Sequence, residues 1–248
     1  LQDTYYGLAM LSLLGYNFPD VEKTIKFVDN ARVNGIYSAY YVTKASLLLG
    51  RSIGSKLKKS VLSILNSNEY FGSTVFYPEI SSEFTTTFMA LELVNLLKIK
   101  VNTEEVTNWL LKFKNDDGGF GTLGQSNVNS TYYAIASINF MKESLNVLSE
   151  AIVFVRKCEK LCGGFTVIPL NFSPYMEHTY FGVMTLDMLG ERSKYPSETI
   201  NFVLGCQNDN GGFARSDLGI STFENTFQAV EVLRKLNFPI RPALTDPK

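Results

Sequence analysis

The sequence holds one histidine, one tryptophan and three cysteines in 248 residues. Each scarcity excludes something. A small, odd set of cysteines offers no disulfide framework, so a reducing, cytoplasmic setting is expected. Cys158 and Cys162 lie four apart, but a metal site on them would also need Cys206 and His178. They are read as core or turn residues, and no metal or cofactor is expected. No apolar run reaches the roughly 18 residues of a membrane-spanning helix. No charged-then-apolar signal segment opens the chain, so the Asn-X-Ser/Thr matches at Asn129 and Asn171 read as chance. Charge of one sign is not in excess either: 23 Lys and Arg face 24 Asp and Glu. No stretch groups cations with aromatics, which excludes a nucleic-acid footprint. The densest basic run, "KLKK" at 56–59, has helical spacing and reads as a solvated helix face.

Hydrophobic residues make up 45% of the chain and charged residues 19%, enough apolar mass for a sizeable core. That mass is periodic. "DTYYGLAMLSLLG" (3–15), "SAYYVTKASLLLG" (38–50), "TTFMALELVNLLK" (86–98), "STYYAIASINFMK" (130–142), "HTYFGVMTLDMLG" (178–190) and "NTFQAVEVLRKLN" (225–237) share a small residue followed by aromatics. The anchors Thr4, Ala39, Thr87, Thr131, Thr179 and Thr226 are spaced 35, 48, 44, 48 and 47 residues apart. A period of this size marks a helical-repeat architecture.

Each copy is followed by a second, striped segment. Val21, Ile25 and Val28 sit at i, i+4, i+7. Val61, Leu62 and Leu65 (i, i+1, i+4) also fall on one helix face, as do Val106, Trp109, Leu110 and Phe113, then Leu145, Leu148, Ile152 and Val155, then Ile200, Val203 and Leu204. This spacing predicts amphipathic helices with one apolar face. Asp20, "NTEE" at 102–105 and "SE" at 197–198 supply start signals. The anchor segments are apolar almost all round and should be buried on more than one side. Alternation of the two kinds predicts an all-α, α/α toroid over residues 1–248: six inner helices ringed by outer ones, in repeats of about 45 residues. Five striped segments are found for six anchors. The missing outer helix is expected from an upstream segment, from a second protein subunit, or from the C-terminal tail at 238–248.

"NDDGGF" (115–120), "LCGGF" (161–165) and "QNDNGGF" (207–213) each fall between a striped helix and an anchor helix. Glycine permits the positive φ of a tight turn, and the Phe can tuck under the ring, so the motif reads as structural. "NDNG" at 208–211 lacks the later bidentate Glu of a calcium loop.

The unit of Gln, two glycines, Phe and an aromatic inner helix resembles the repeat of protein prenyltransferase β subunits and of squalene and terpene cyclases. The resemblance covers nearly the whole chain and implies a toroid with a central aromatic cavity that holds an isoprenoid. It also implies a zinc site, with an Asp-x-Cys pair entering one inner helix and a His entering the next. Counted from the N-terminus, those positions fall on Tyr175, Glu177 and Asn225; matched through the look of the fifth anchor, they fall on Asn127, Asn129 and His178. Either way the Cys is gone, and Asn amides are poor zinc ligands. The cations that would grip a diphosphate are absent from "TLGQS" (122–126) and "IPLNFS" (168–173); Arg215 is the nearest. No Asp-x-Asp-Asp cyclase acid occurs.

The candidate catalytic residues are therefore His178, a general acid or base, and Glu177 beside it, although neighbours on a helix point in different directions. Asp3, Glu83, Glu177 and Glu224 stand at inner-helix starts, where an acid could face the cavity or simply complement the helix dipole. The candidate cavity residues are Tyr6, Tyr41, Tyr133, Tyr175, Phe181, Glu224, Asn225 and Arg215. Of each aromatic pair (Tyr5/Tyr6, Tyr40/Tyr41, Tyr132/Tyr133, Tyr180/Phe181), one member is expected to face the cavity and the other the outer helices. The expected partner is an apolar, isoprenoid-like small molecule. The reading set against it is a non-catalytic lipid-binding or protein-interaction toroid; a divergent terpene cyclase is a third.

Overall fold

The computed structural model describes residues 1–65, 81–100, 102–143 and 148–240. Leu145, the side chains of Leu65 and Glu83, and tail positions 241–248 lie outside the described residues.

Eleven helices alternate along the described chain. The inner ones are α1 (Gln2–Leu13), α3 (Ile36–Leu48), α5 (Ser81–Leu96), α7 (Val128–Phe140), α9 (Met176–Met188) and α11 (Phe223–Lys235). The outer ones are α2 (Val21–Asp29), α4 (Ser55–Leu65), α6 (Thr103–Leu111), α8 (Glu150–Cys158) and α10 (Pro196–Gly205). Each inner helix packs on the next, and α11 packs back on α1, so the six form a closed ring. Hydrogen bonds across this seam join Tyr6 and Gln2 of α1 to Glu224 of α11.

The outer stripes are buried along most of their length: Val28, Val61, Val106, Leu110, Leu148, Val155 and Val203 are all inaccessible or nearly so, while Val21 at the start of α2 is exposed. Start signals behave unequally. Asn102 caps α6 by accepting from the Glu105 amide. Asp20 sits in the left-handed region at φ 45° and caps nothing; its carboxylate lies 3.4 Å from Lys23 instead. α10 begins one residue before Ser197, at Pro196, because proline's missing N–H costs nothing in a first turn.

The Gly-Gly-Phe turns are built alike. The Phe closes an isolated bridge to the end of the preceding outer helix: Lys114 with Phe120, Glu159 with Phe165, Gln207 with Phe213. Its ring is buried in each case. Its amide donates to the anchor threonine of the following inner helix: Phe120 to Thr131 (2.9 Å), Phe165 to Thr179 (3.1 Å) and Phe213 to Thr226 (3.0 Å). The "NDD" carboxylate is spent here too: Asp117 accepts from the Gly119 amide and the Ser126 hydroxyl.

One face is uncovered by the described residues. Among the described residues no outer helix lies over the α11–α1 pair. A groove of about 710 Å³ runs there, walled by Met10, Leu11, Leu14, Phe213, Phe223 and Val230. Of the tail, Phe238 and Ile240 pack on the core formed by α7 to α11. No described helix is long and apolar enough to cross a membrane.

Candidate functional site

All six inner helices contribute to a cavity of about 190 Å³ at the ring centre. Tyr5 and Tyr6 come from α1, Tyr40, Tyr41 and Lys44 from α3, and Phe88, Met89 and Glu92 from α5. Tyr132 and Tyr133 come from α7, Tyr180 and Phe181 from α9, and Glu224, Phe227 and Gln228 from α11. Both members of every aromatic pair line it, not one as expected. Two consecutive helix residues are about 100° apart, so a pair that straddles the inward direction presents both rings. The rings touch around the circle: Tyr132 to Phe181 at 4.8 Å, Tyr6 to Phe227 at 5.4 Å, Tyr5 to Tyr41 at 5.6 Å.

Burial raises the pKa values of Tyr6, Tyr40, Tyr41, Tyr132, Tyr133 and Tyr180 above the usual phenol value. These phenols stay protonated at neutral pH, with apolar faces and polar tips. Glu224 is likewise pushed up by burial, against the counteracting hydrogen bond from Tyr6 (3.1 Å).

Deeper along the ring lies a cluster that pattern reading passed over. Lys44 donates to Glu92 Oε1 at 2.9 Å, and the Tyr40 hydroxyl donates to Glu92 Oε2. The Lys44 ammonium also stands 5.4 Å from the Tyr40 ring. The signal was available: a Lys and a Glu each interrupt an otherwise apolar anchor segment, where a charge must find a partner. A second space of about 420 Å³ adjoins below, walled by Leu13, Leu47, Leu48 and Leu96, and shares Tyr5, Lys44 and Phe227 with the first.

The predicted catalytic residues stand elsewhere, on the rim at the inner-helix N-termini. Glu177 and His178 open α9, and neither lines the central cavity. His178 Nδ1 lies 2.9 Å from Asn129 Oδ1, so it donates there and Nε2 is the basic nitrogen. Despite their adjacency, His178 Nε2 and Glu177 Oε1 come within 3.7 Å. Burial lowers the His178 pKa, with Glu177 opposing and Arg215 adding to the effect, so the ring is neutral near pH 7. Arg215 is not a free cation: its Nε donates to Glu177 Oε1 at 2.6 Å, and its guanidinium lies 4.1 Å from the Tyr175 ring. Tyr175, Arg215 and Asn225 therefore belong to the rim or the α11 start, whereas Tyr6, Tyr41, Tyr133, Phe181 and Glu224 do line the cavity. Asp3 lies exposed on the first turn of α1.

Of the two zinc registers, one pair is brought together, Asn129 with His178. The donor set does not fit the metal: one imidazole, one amide, and a carboxylate already held by Arg215. Among the described residues no group of three or more His, Cys, Asp and Glu is gathered. Cys158 and Cys206 are buried, their thiols pushed up to about 12 and about 11 by that burial, while Cys162 is exposed.

A closed ring of inner helices around an aromatic chamber defines an α/α toroid. The chain belongs to the prenyltransferase alpha-alpha toroid domain family, whose profile matches residues 21–173 and 173–245. A search of curated proteins finds no match. Among solved structures, a Candida albicans protein geranylgeranyltransferase-I complexed with GGPP is similar over 94% of this chain and 83% of its own, at 16% identity and a TM-score of 0.74. A type II terpene cyclase from Scytonema, in complex with its product merosterolic acid A, is similar over 95% and 85%, at 11% identity and 0.59. An ent-copalyl diphosphate synthase from Streptomyces platensis is similar over 95% and 50%, at 14% identity and 0.57. Identities this low show a shared fold and carry no residue's role across.

Proposed function

We propose that this protein is a prenyltransferase-like toroid that holds an isoprenoid or similar apolar ligand at the centre of its ring. The chamber carries the reading: six helices converge on one space walled mainly by the rings of tyrosine and phenylalanine, with polar tips set among apolar faces. At about 190 Å³ it exceeds the ~150 Å³ cavity known to take benzene, and the adjoining aliphatic space allows a longer chain to continue. The solved relatives with GGPP and with a terpenoid product place their ligands in proteins of this fold. Acid–base chemistry, where it occurs, falls to the rim. His178, neutral and oriented by Asn129, acts as the base, and Glu177 with Arg215 sets its field. The test is mass spectrometry of organic-soluble material from protein purified from its own host. One stoichiometric terpenoid or similar lipid is expected. An empty protein that also fails to bind added C10 hydrocarbon overturns the reading.

A second reading, an interaction toroid, has its own observation. At Gly118 and Gly163, both at positive φ, an added Cβ would overlap the carbonyl oxygens of Glu150 and Glu198, at the starts of the next outer helices. Gly211, the equivalent in the third turn, meets nothing. The apolar groove beside it matches an outer-type amphipathic helix, acidic in its first turn, supplied by a partner chain. Crosslinks from a stoichiometric second polypeptide to Met10, Leu14 and Phe223 are expected. Crosslinks confined to other surfaces remove this reading.

A further inference from the structure

The chamber carries polar groups that a hydrocarbon would not use. Gln228 is 3% exposed, lines the cavity, and its buried Oε1 accepts no hydrogen bond. An unfilled buried acceptor is costly, and one facing a cavity is a place for a donor. Across the ring, Lys44 is the one cation among the described lining residues. An ammonium has three donors, and Glu92 takes one at 2.9 Å, which leaves donors for an incoming oxygen.

Charge decides among possible head groups. Lys44 and Glu92 cancel, and the other carboxyl among the described wall residues is that of Glu224. Nothing here neutralises a diphosphate, and Glu224 opposes any anion when ionised. A carbonyl or ether can accept from Lys44 but cannot satisfy Gln228. A hydroxyl does both, accepting from one and donating to the other.

We propose that the chamber takes an uncharged terpenoid-sized alcohol, its hydroxyl held by Lys44 and Gln228 and its apolar skeleton packed among Tyr41, Tyr133 and Phe181. The inference rests on the reading of the chamber as an apolar-ligand site. It predicts a ligand that has already lost its phosphates or never carried them.

Calorimetric titration of the full chain with geraniol, the matching hydrocarbon myrcene, and geranyl diphosphate tests it. Geraniol is expected to bind about tenfold tighter than myrcene, the worth of roughly one well-made hydrogen bond, and also tighter than the diphosphate. In Lys44→Met and Gln228→Met the geraniol preference should collapse while myrcene binding persists. Gln228→Met should also raise the ligand-free melting temperature, since it removes an unpaired buried acceptor. Equal binding of geraniol and myrcene, or tighter binding of the diphosphate, overturns the alcohol assignment and leaves the apolar site standing. Failure of all three probes overturns the site itself.

Discussion

One threonine hydroxyl makes two hydrogen bonds at each Gly-Gly-Phe turn. Thr131 donates to the Asn127 carbonyl at 2.7 Å while it accepts from the Phe120 amide, and Thr179 and Thr226 do the same in their own turns. The small residue that set the sequence period is thus the clasp between turn and helix. Thr131→Val keeps the shape and strands a buried amide, so it should cost roughly 1–3 kcal/mol and lower Tm by several degrees. Thr131→Ser should restore most of that; a valine variant as stable as wild type would refute the clasp. Glu224 gives a prediction of opposite kind. Its folded pKa is raised by burial, so the folded state holds the proton to higher pH than the unfolded chain does. The stability this contributes is present below the unfolded value and is lost as pH rises through the folded one. Glu224→Gln should therefore gain on wild type in melting temperature as pH rises above the ordinary carboxylate range; a gain that shrinks with pH would be the wrong sign. Residue identity alone could not reveal either effect, because both depend on what the fold places opposite the side chain.

Element by element, the helices were legible because each buries a face whose period the chain must write out. The two-shell arrangement followed from the contrast between all-round and one-sided apolar segments. The site was only half legible. Tyr6, Tyr41, Tyr133 and Phe181 were readable as chamber walls because each follows its anchor by two residues, and Glu224 because an acid at an inner-helix start can face the chamber. Tyr175, Asn225 and Arg215 were not separable from them, since a helix start is close in sequence to both chamber and rim. Lys44 and Glu92 pair across 48 positions, and no local pattern encodes which charge meets which. The turns yield a further prediction at this scale. Gly118 has φ +88° and sits against the Glu150 carbonyl, so Gly118→Ala combines backbone strain with overlap and should cost roughly 3 kcal/mol or more. Gly211→Ala, at φ +82° with open space beside it, should cost the strain alone. Equal losses in a denaturant titration of the two variants would mean that the turn does not brace the following outer helix.

At the scale of the whole molecule, the contact of α11 with α1 turns a row of repeats into a ring. In an open stack each repeat feels only its neighbours and the ends fray. A closed ring has no inner ends, and helices more than two hundred residues apart should protect one another. At the seam the Tyr6 and Phe227 rings meet at 5.4 Å, and Gly7 packs against the Phe223 ring, where an added Cβ would stand 3.4 Å away. A methyl group fits there and a larger side chain does not. Gly7→Leu should therefore push the two helices apart at a cost of about 1–3 kcal/mol. Hydrogen exchange reads the consequence directly, because amide protection reports the free energy of local opening. Amides of α1 and of α11 should lose protection together in the variant, while those of α5 and α7, whose neighbours are untouched, should keep theirs. Loss confined to α1 would describe a helix appended to an open arc. Joint loss at both ends of the chain is what a ring requires, and a ring is what gives the chamber its sixth wall.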